Sequence, residues 1–396
     1  MATNAKNLAE LLNTDTTVKV GDIEDGSVTT AKLAADAVTA AKLADDSVVT
    51  ANVVDGAITA VKTTSVGKGK NLVINGAMKV SQRGTSFTSV SASAYHLDRW
   101  QYYVANHDEL RTTVSQDSSV PTGADSGFSK SLKIDCTTAE SAIAADENLR
   151  VWQKVEAQDL IQLGYGSSGA KSTTLSFYVK SSLTGTYAVS FWCQDPDRSI
   201  SKTYTINAAN TWEKKTITIP GDTGGAGITN DNGEGMRINW FLNAGSNFTS
   251  TNTNNQWDAF ASGRHAFGHT AAWGTNTSHD FFLTGVQFEV GSAATDFEHL
   301  SFGEELKLCQ RYYQVGRSKI STYRTFSGNW EESLPIIFST TMRDTPSMAK
   351  VTVHTSSRLN GHDTYYPQQY GFCHFAYPSS SGQYISDFTW KADAEL

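Results

Sequence analysis

The chain has 396 residues, too many for one ordinary domain, and carries a formal charge of −8 with only 18% charged residues. No run of Lys and Arg is long enough to track phosphates, and no stretch of 18 apolar residues occurs, which argues against nucleic-acid partners and membrane insertion. Much of the polar remainder is Ser, Thr, Asn and Gly, the composition of β-rich surface proteins rather than of helical enzymes.

The opening MATNAKNLAELLNTDTT lacks the charged and apolar regions of a secretory signal. Synthesis in a reducing cytoplasm is therefore expected, with Cys136, Cys193, Cys309 and Cys373 as free thiols in no C-x-x-C pattern. Residues 1–25 form a leader. Residues 26–66 repeat every ten positions: GSVTTAKLAA, DAVTAAKLAD, DSVVTANVVD, GAITAVKTTS. Val28, Val38, Val48 and Ile58 fill one column; Leu33, Leu43 and Val53 fill another. Steps of five rotate a helical side chain by about 140°, so these columns make no stripe on a single helix. A short repeat that cannot bury its apolar side chains alone must stack on copies of itself or on other chains. The expectation is a stem shared among chains, ending at a glycine-containing hinge near residue 70.

From residue 71 the pattern becomes alternating. Strands are predicted at 72–78, 99–104, 132–136, 149–155, 174–180, 187–194, 202–206, 214–219, 237–243 and 282–290. So many short strands separated by turn-like clusters predict a mainly β protein with an antiparallel jelly-roll sandwich over 71–299. A short helix is expected at 303–313, with Leu306, Cys309 or Gln310, and Tyr313 on one face. Strands at 334–340, 349–354, 371–377 and 384–390 then make a smaller C-terminal β domain within 300–396.

Several phrases resemble bacteriophage tail-fibre and receptor-binding proteins: NLVINGAMKVSQRG (71–84), AYHLDRW (94–100), STTLSFYVKSSLTGTYAVSF (172–191), FFLTGVQFEVGSAATDFEH (281–299) and GEELKLCQRYYQ (303–314). LPIIFSTTMRDTPSMAKVTV (334–353) is similar to the start of the β domain that often follows. The strand pattern also resembles jelly-roll carbohydrate-binding modules. The resemblance implies a homotrimeric virion fibre, assembled in the bacterial cytoplasm. Its N-terminus would meet a phage tail or head structural protein and its far end a host-surface glycan. The insertion 254–280 departs from the family pattern, so ligand geometry does not carry over there.

A sugar-binding face needs flat rings for the apolar sides of pyranoses and amides or charges for their hydroxyls. Alternation sorts three strands and places Tyr178, Trp192, Gln194, Arg237, Asn239 and Phe241 on outward faces as one candidate groove. Trp257 and Trp273 in the insertion are further candidates. His265 and His269 lie four apart, a metal-like spacing on a helix, but Gly, Thr and Asn surround them and no third ligand has diagnostic spacing, so no metal is expected there. Asp195–Asp197 and Asp231–Glu234 are acidic clusters that calcium would suit, though neither has a calcium-loop spacing and turn chemistry accounts for both. No cofactor is expected. No G-x-S-x-G, H-E-x-x-H or phosphate-cradling glycine motif occurs, so the expected role is adhesion without catalysis. The alternatives are a decorative head fibre and a glycan-depolymerising enzyme.

Overall fold

The computed structural model describes residues 69–125, 127–251, 255–325 and 331–396. The leader and the stem columns, Val28 to Ile58, lie outside them. The chain alternates between two antiparallel sheets. It runs through β1 (Ser86–Val90), β2 (Ala94–Leu97), β3 (Trp100–Ala105), β4 (Arg111–Asp117), β5 (Ser131–Thr138) and β6 (Asn148–Glu156). It continues through β7 (Thr173–Ser181), β8 (Gly185–Cys193), β9 (Arg198–Ile206), β10 (Glu213–Ile219), β11 (Glu234–Ala244), the two-residue β12 (Asp258–Ala259) and β13 (Asp280–Val290). One sheet has the order β1-β4-β5-β13-β7-β10, and its partner the order β12-β9-β8-β11-β6-β3-β2.

The two inner faces meet in one core. Leu175, Phe177 and Val179 of β7 face Tyr187, Val189 and Phe191 of β8 and Ile238, Trp240 and Leu242 of β11. Each triplet has the period of two that a half-buried strand requires. In β13 the parity breaks: Phe281 and Leu283 point inward, and so do Val286 and Phe288. A bulge between Thr284 and Gln287 absorbs the extra residue. Gly285 sits there at φ +59°, where a Cβ would lie 2.7 Å from Phe128 and 2.8 Å from Tyr178.

Ten predicted strand segments lie in this sandwich region, and one of them is not a strand. Residues 72–78 fold into turns, because Asn75 and Met78 take left-handed φ values of 58° and 55°. The segment is pinned to β13 by Leu72 N–H to Phe288 O (2.8 Å) and Val286 N–H to Gly76 O (2.9 Å). The buried Asn75 amide donates to Val80 O and Asp98 O, both at 2.9 Å. An apolar run thus became a plug held by asparagine side chains rather than a ladder.

After the sandwich comes the helix Phe302–Gln310, closed at its start by a Ser301–Glu304 capping box. The predicted helix runs three residues too far, since Tyr313 already begins β14 (Tyr313–Arg324). The tip adds β15 (Glu332–Ile337), β16 (Ser347–Ser357), β17 (Leu359–Gln368), β18 (Gly371–Pro378) and β19 (Gly382–Asp393). These form two three-stranded sheets, β14-β19-β16 and β15-β18-β17. Phe338, Met342, Phe372, Phe388 and Trp390 fill the larger of the tip's two apolar clusters. The tip is tied to the sandwich through buried charge. Glu156 takes Arg311 bidentately at 2.8 Å and also accepts from Tyr312 Oη, and Arg99 pairs with Glu395. The described residues belong to one compact unit, and all four cysteines are free.

Candidate functional site

The outer face of the seven-stranded sheet carries the chemistry. On β6, Leu149, Val151 and Val155 enter the core, so Arg150, Trp152 and Lys154 point outward. On β11, Arg237, Asn239 and Phe241 point outward for the same reason. Antiparallel register then aligns rows across β3, β6, β11 and β8: Gln101–Trp152–Asn239–Ser190 in one, and Lys154–Arg237–Trp192 beside it.

Rings and guanidinium stack along this face. Tyr103 stacks on Trp152 with centroids 4.5 Å apart, and Trp192 stacks on Phe260 at 4.3 Å. Between the pairs lies the Arg237 guanidinium, 4.3 Å from the Trp152 ring and 4.9 Å from Trp192. Each such cation–π contact contributes about 0.5–1 kcal/mol near solvent. Glu234 fixes Arg237 with two hydrogen bonds of 2.8 Å and pairs with Lys154 at 3.0 Å. The indoles are locked as well: Trp192 Nε1 donates to Asp197 Oδ1 at 3.1 Å, and Trp152 Nε1 donates to Gln101.

Beneath the row lies Arg150, enclosed by Tyr103, Trp152 and Phe241 at 4.5, 4.7 and 5.3 Å. Its Nη1 donates to His265 Nδ1 at 3.0 Å, while its Nε has no partner. Among the described residues no carboxylate pairs with it. Burial pulls its pKa down to about 9. Burial and the neighbouring Arg150 also hold His265 neutral, well below the usual histidine range. Trp152 is only 4% exposed, so the face offers the half-buried edges of Tyr103, Trp192 and Phe260, the amides of Gln101 and Gln194, and an excess of cationic donors. That set can bond hydroxyls and favours anionic groups.

The expected groove of Tyr178, Trp192, Gln194, Arg237, Asn239 and Phe241 is divided by the structure. Trp192 and Arg237 stand together in the row, with Gln194 exposed just past the end of β8. Asn239 shares their face but is buried, its amide donating to Ser190 Oγ at 3.2 Å. Phe241 lies under the folded-back insertion, packed on Ala188, Ala266 and Phe248. Tyr178 is on the other sheet, covered by Phe128 and donating to Asp125 at 2.8 Å. Trp257 and Trp273 are core residues, packed inside the sandwich, and neither ring presents a face to a ligand. Alternation distinguishes inward from outward, but not one sheet's outside from the other's.

The residues missed were Gln101, Tyr103, Arg150, Trp152 and Lys154. Their signal was present: Arg-x-Trp-x-Lys alternates with Leu149, Val151 and Gln153 in a strand that was predicted but whose faces were not sorted. His265 and His269 do not converge on a metal. His269 Nδ1 accepts from Ala188 N–H at 3.2 Å and its Nε2 faces Ala271 O at 2.8 Å, while His265 faces Arg150. Asp195 accepts from Thr229 N–H at 2.9 Å, Asp231 accepts from Gly233 N–H at 2.8 Å, and Glu234 serves Arg237.

A second aromatic surface lies on the tip. Tyr365 and Tyr366 pack edge-on against Phe375 at 5.3 and 5.8 Å. Tyr366 is 69% exposed and Tyr370 65%. They border a groove of about 300 Å³ with Pro335, Ile337 and Gln368.

These features define an antiparallel β-sandwich with an aromatic and cationic outer face and a small β tip. No protein-family model and no curated protein sequence matches the chain. Among solved structures it is similar to the enzymatically active domain of tailspike protein 4 of bacteriophage CBA120. That match has 12% identity and a TM-score of 0.31, and covers 56% of this chain and 22% of the other. A putative sugar binding protein from Bacteroides thetaiotaomicron matches with 13% identity and a TM-score of 0.30, covering 56% and 100%. A family 11 carbohydrate-binding module from Clostridium thermocellum matches with 12% identity and a TM-score of 0.25, covering 54% and 98%. These likenesses are distant, and the site stands on its own residues.

Proposed function

We propose that the chain is a non-catalytic adhesion protein of a phage virion, a homotrimeric fibre that holds host-surface glycan on its β-sandwich. The observation that carries the glycan reading is the half-buried row of Tyr103, Arg237, Trp192 and Phe260, braced on the buried Trp152, fixed in place before any ligand arrives and flanked by Gln101, Lys154 and Gln194. A preformed shelf spends little ordering entropy on binding. The phage assignment rests on the ordered phrases between residues 71 and 353 and on the ten-residue repeat before them. In this reading the leader docks on a tail or head structural protein. The tip groove beside Tyr366 and Tyr370 is a second contact surface, favoured by its exposed rings.

The test is binding of the full chain to host cells and to their purified surface polysaccharide. The Trp192→Ala/Arg237→Ala double variant should bind at least about tenfold more weakly, the loss of two or three good contacts. Unchanged binding by a folded double variant removes the shelf. Loss confined to Tyr366→Ala/Tyr370→Ala moves the contact to the tip. New reducing ends after incubation with the polysaccharide would replace the adhesin with an enzyme.

A further inference from the structure

In the loops that follow β3 and β5, three side chains of metal-ligand type converge. His107 comes from the β3–β4 loop, and Glu140 and Glu147 come from the β5–β6 loop. One ligand atom from each lies within 4.8 Å of the others. His107 Nδ1 is 2.9 Å from Glu140 Oε2 and 3.5 Å from Glu147 Oε2. The imidazole is fully buried, and the two carboxylates are 6% and 10% exposed.

Each carboxylate is oriented by backbone. Glu140 Oε1 accepts from Leu110 N–H at 3.3 Å, and Glu147 Oε2 accepts from Ala144 N–H at 2.8 Å. No Lys or Arg pairs with either glutamate among the described residues. Without an ion, protons alone offset the two buried carboxylates: the imidazole N–H and a hydrogen bond shared between Glu140 and Glu147, both of which a divalent ion would replace. His107 Nδ1 donates its proton to Glu140 Oε2, so a cation would take that proton's place between the two, while Nε2 is buried without a partner.

We propose that His107, Glu140 and Glu147 bind a divalent metal ion. One nitrogen and two carboxylate donors fit Zn²⁺ or Mn²⁺ better than Ca²⁺ or Mg²⁺, which take oxygen ligands. The ion neutralises both carboxylates and clamps the two loops together. Its role is structural.

Metal-free full-length protein is titrated calorimetrically with ZnCl₂, MnCl₂, CaCl₂ and MgCl₂, and its thermal unfolding is followed with each. One equivalent of Zn²⁺ or Mn²⁺ should bind and raise the unfolding midpoint. His107→Gln and Glu147→Gln, checked for folding by circular dichroism, should each weaken binding at least about tenfold. Nitrogen coupling in the electron spin resonance of Mn²⁺ bound to the wild-type chain reads the imidazole contact without any variant. No stoichiometric binding, undiminished binding in both folded variants, or bound Mn²⁺ without nitrogen coupling overturns the proposal. Ca²⁺ or Mg²⁺ bound as tightly in His107→Gln as in wild type overturns the mixed-donor assignment.

Discussion

Single residues in this protein show how far burial outweighs intrinsic chemistry. His269 is held neutral by the sandwich, its pKa pushed from 6.5 to about 4 by burial. His96 and His374 are pushed down to about 4 for the same reason. In the unfolded chain these rings take up a proton first as the pH falls. Their contribution to stability is complete above about pH 6.5 and is lost progressively down to about pH 4, up to about 3 kcal/mol for each fully buried ring. Urea unfolding at pH 7, 5.5 and 4 should show that decline. His269→Gln should be less stable at pH 7 yet show a shallower decline; an unchanged slope would mean that His269 does not titrate on unfolding. None of this was legible in the sequence, where His265 and His269 stood out for their spacing. What decided their chemistry was burial, opposed at His269 by the Ala271 and Leu242 carbonyls and reinforced at His265 by the Arg150 guanidinium.

At the scale of elements, alternation was a good guide wherever a strand had one wet face and one dry one. β7, β8 and β11 were placed within a few residues and their inward sides sorted correctly. It missed strands with little apolar content, such as the edge strand β1 (SFTSV) and β4 (RTTVSQD), and β17, which contains Gly361 and Pro367. It also read β13 without its bulge. That bulge is what lets Phe281, Leu283, Val286 and Phe288 share the core, and it depends on a residue tolerant of φ +59° at position 285. Gly285→Ala should destabilise the chain by about 1–3 kcal/mol, through backbone strain and contact with Phe128 and Tyr178. Guanidinium unfolding measures this; a change below about 0.5 kcal/mol would show that the bulge relaxes freely.

For the whole molecule, the proposal joins a repeat stem to a sandwich and a tip. Single-site glycan contacts are weak, and three linked copies raise effective concentration without new contacts. Sedimentation equilibrium of the full chain should give a trimer. Replacing Val28, Val38 and Leu43 by Asp should abolish it while leaving the fold of the β-sandwich intact by circular dichroism. A monomeric wild-type chain would remove the stem's assigned role.

The amino-acid sequence by itself determined the β class, the inward faces of the main strands, the free thiols and the ten-residue periodicity, because these depend on local pattern and composition. Tertiary structure decided everything that depends on which surfaces meet. It put Tyr178 on the opposite sheet from Trp192, sank Trp257 and Trp273 into the core, and folded the insertion over Phe241. It also brought Tyr103, Trp152 and Arg237 into one row and carried His107 to Glu140 and Glu147. A period of two tells each side chain which way to point, but only strand order and loop packing determine what it finds there.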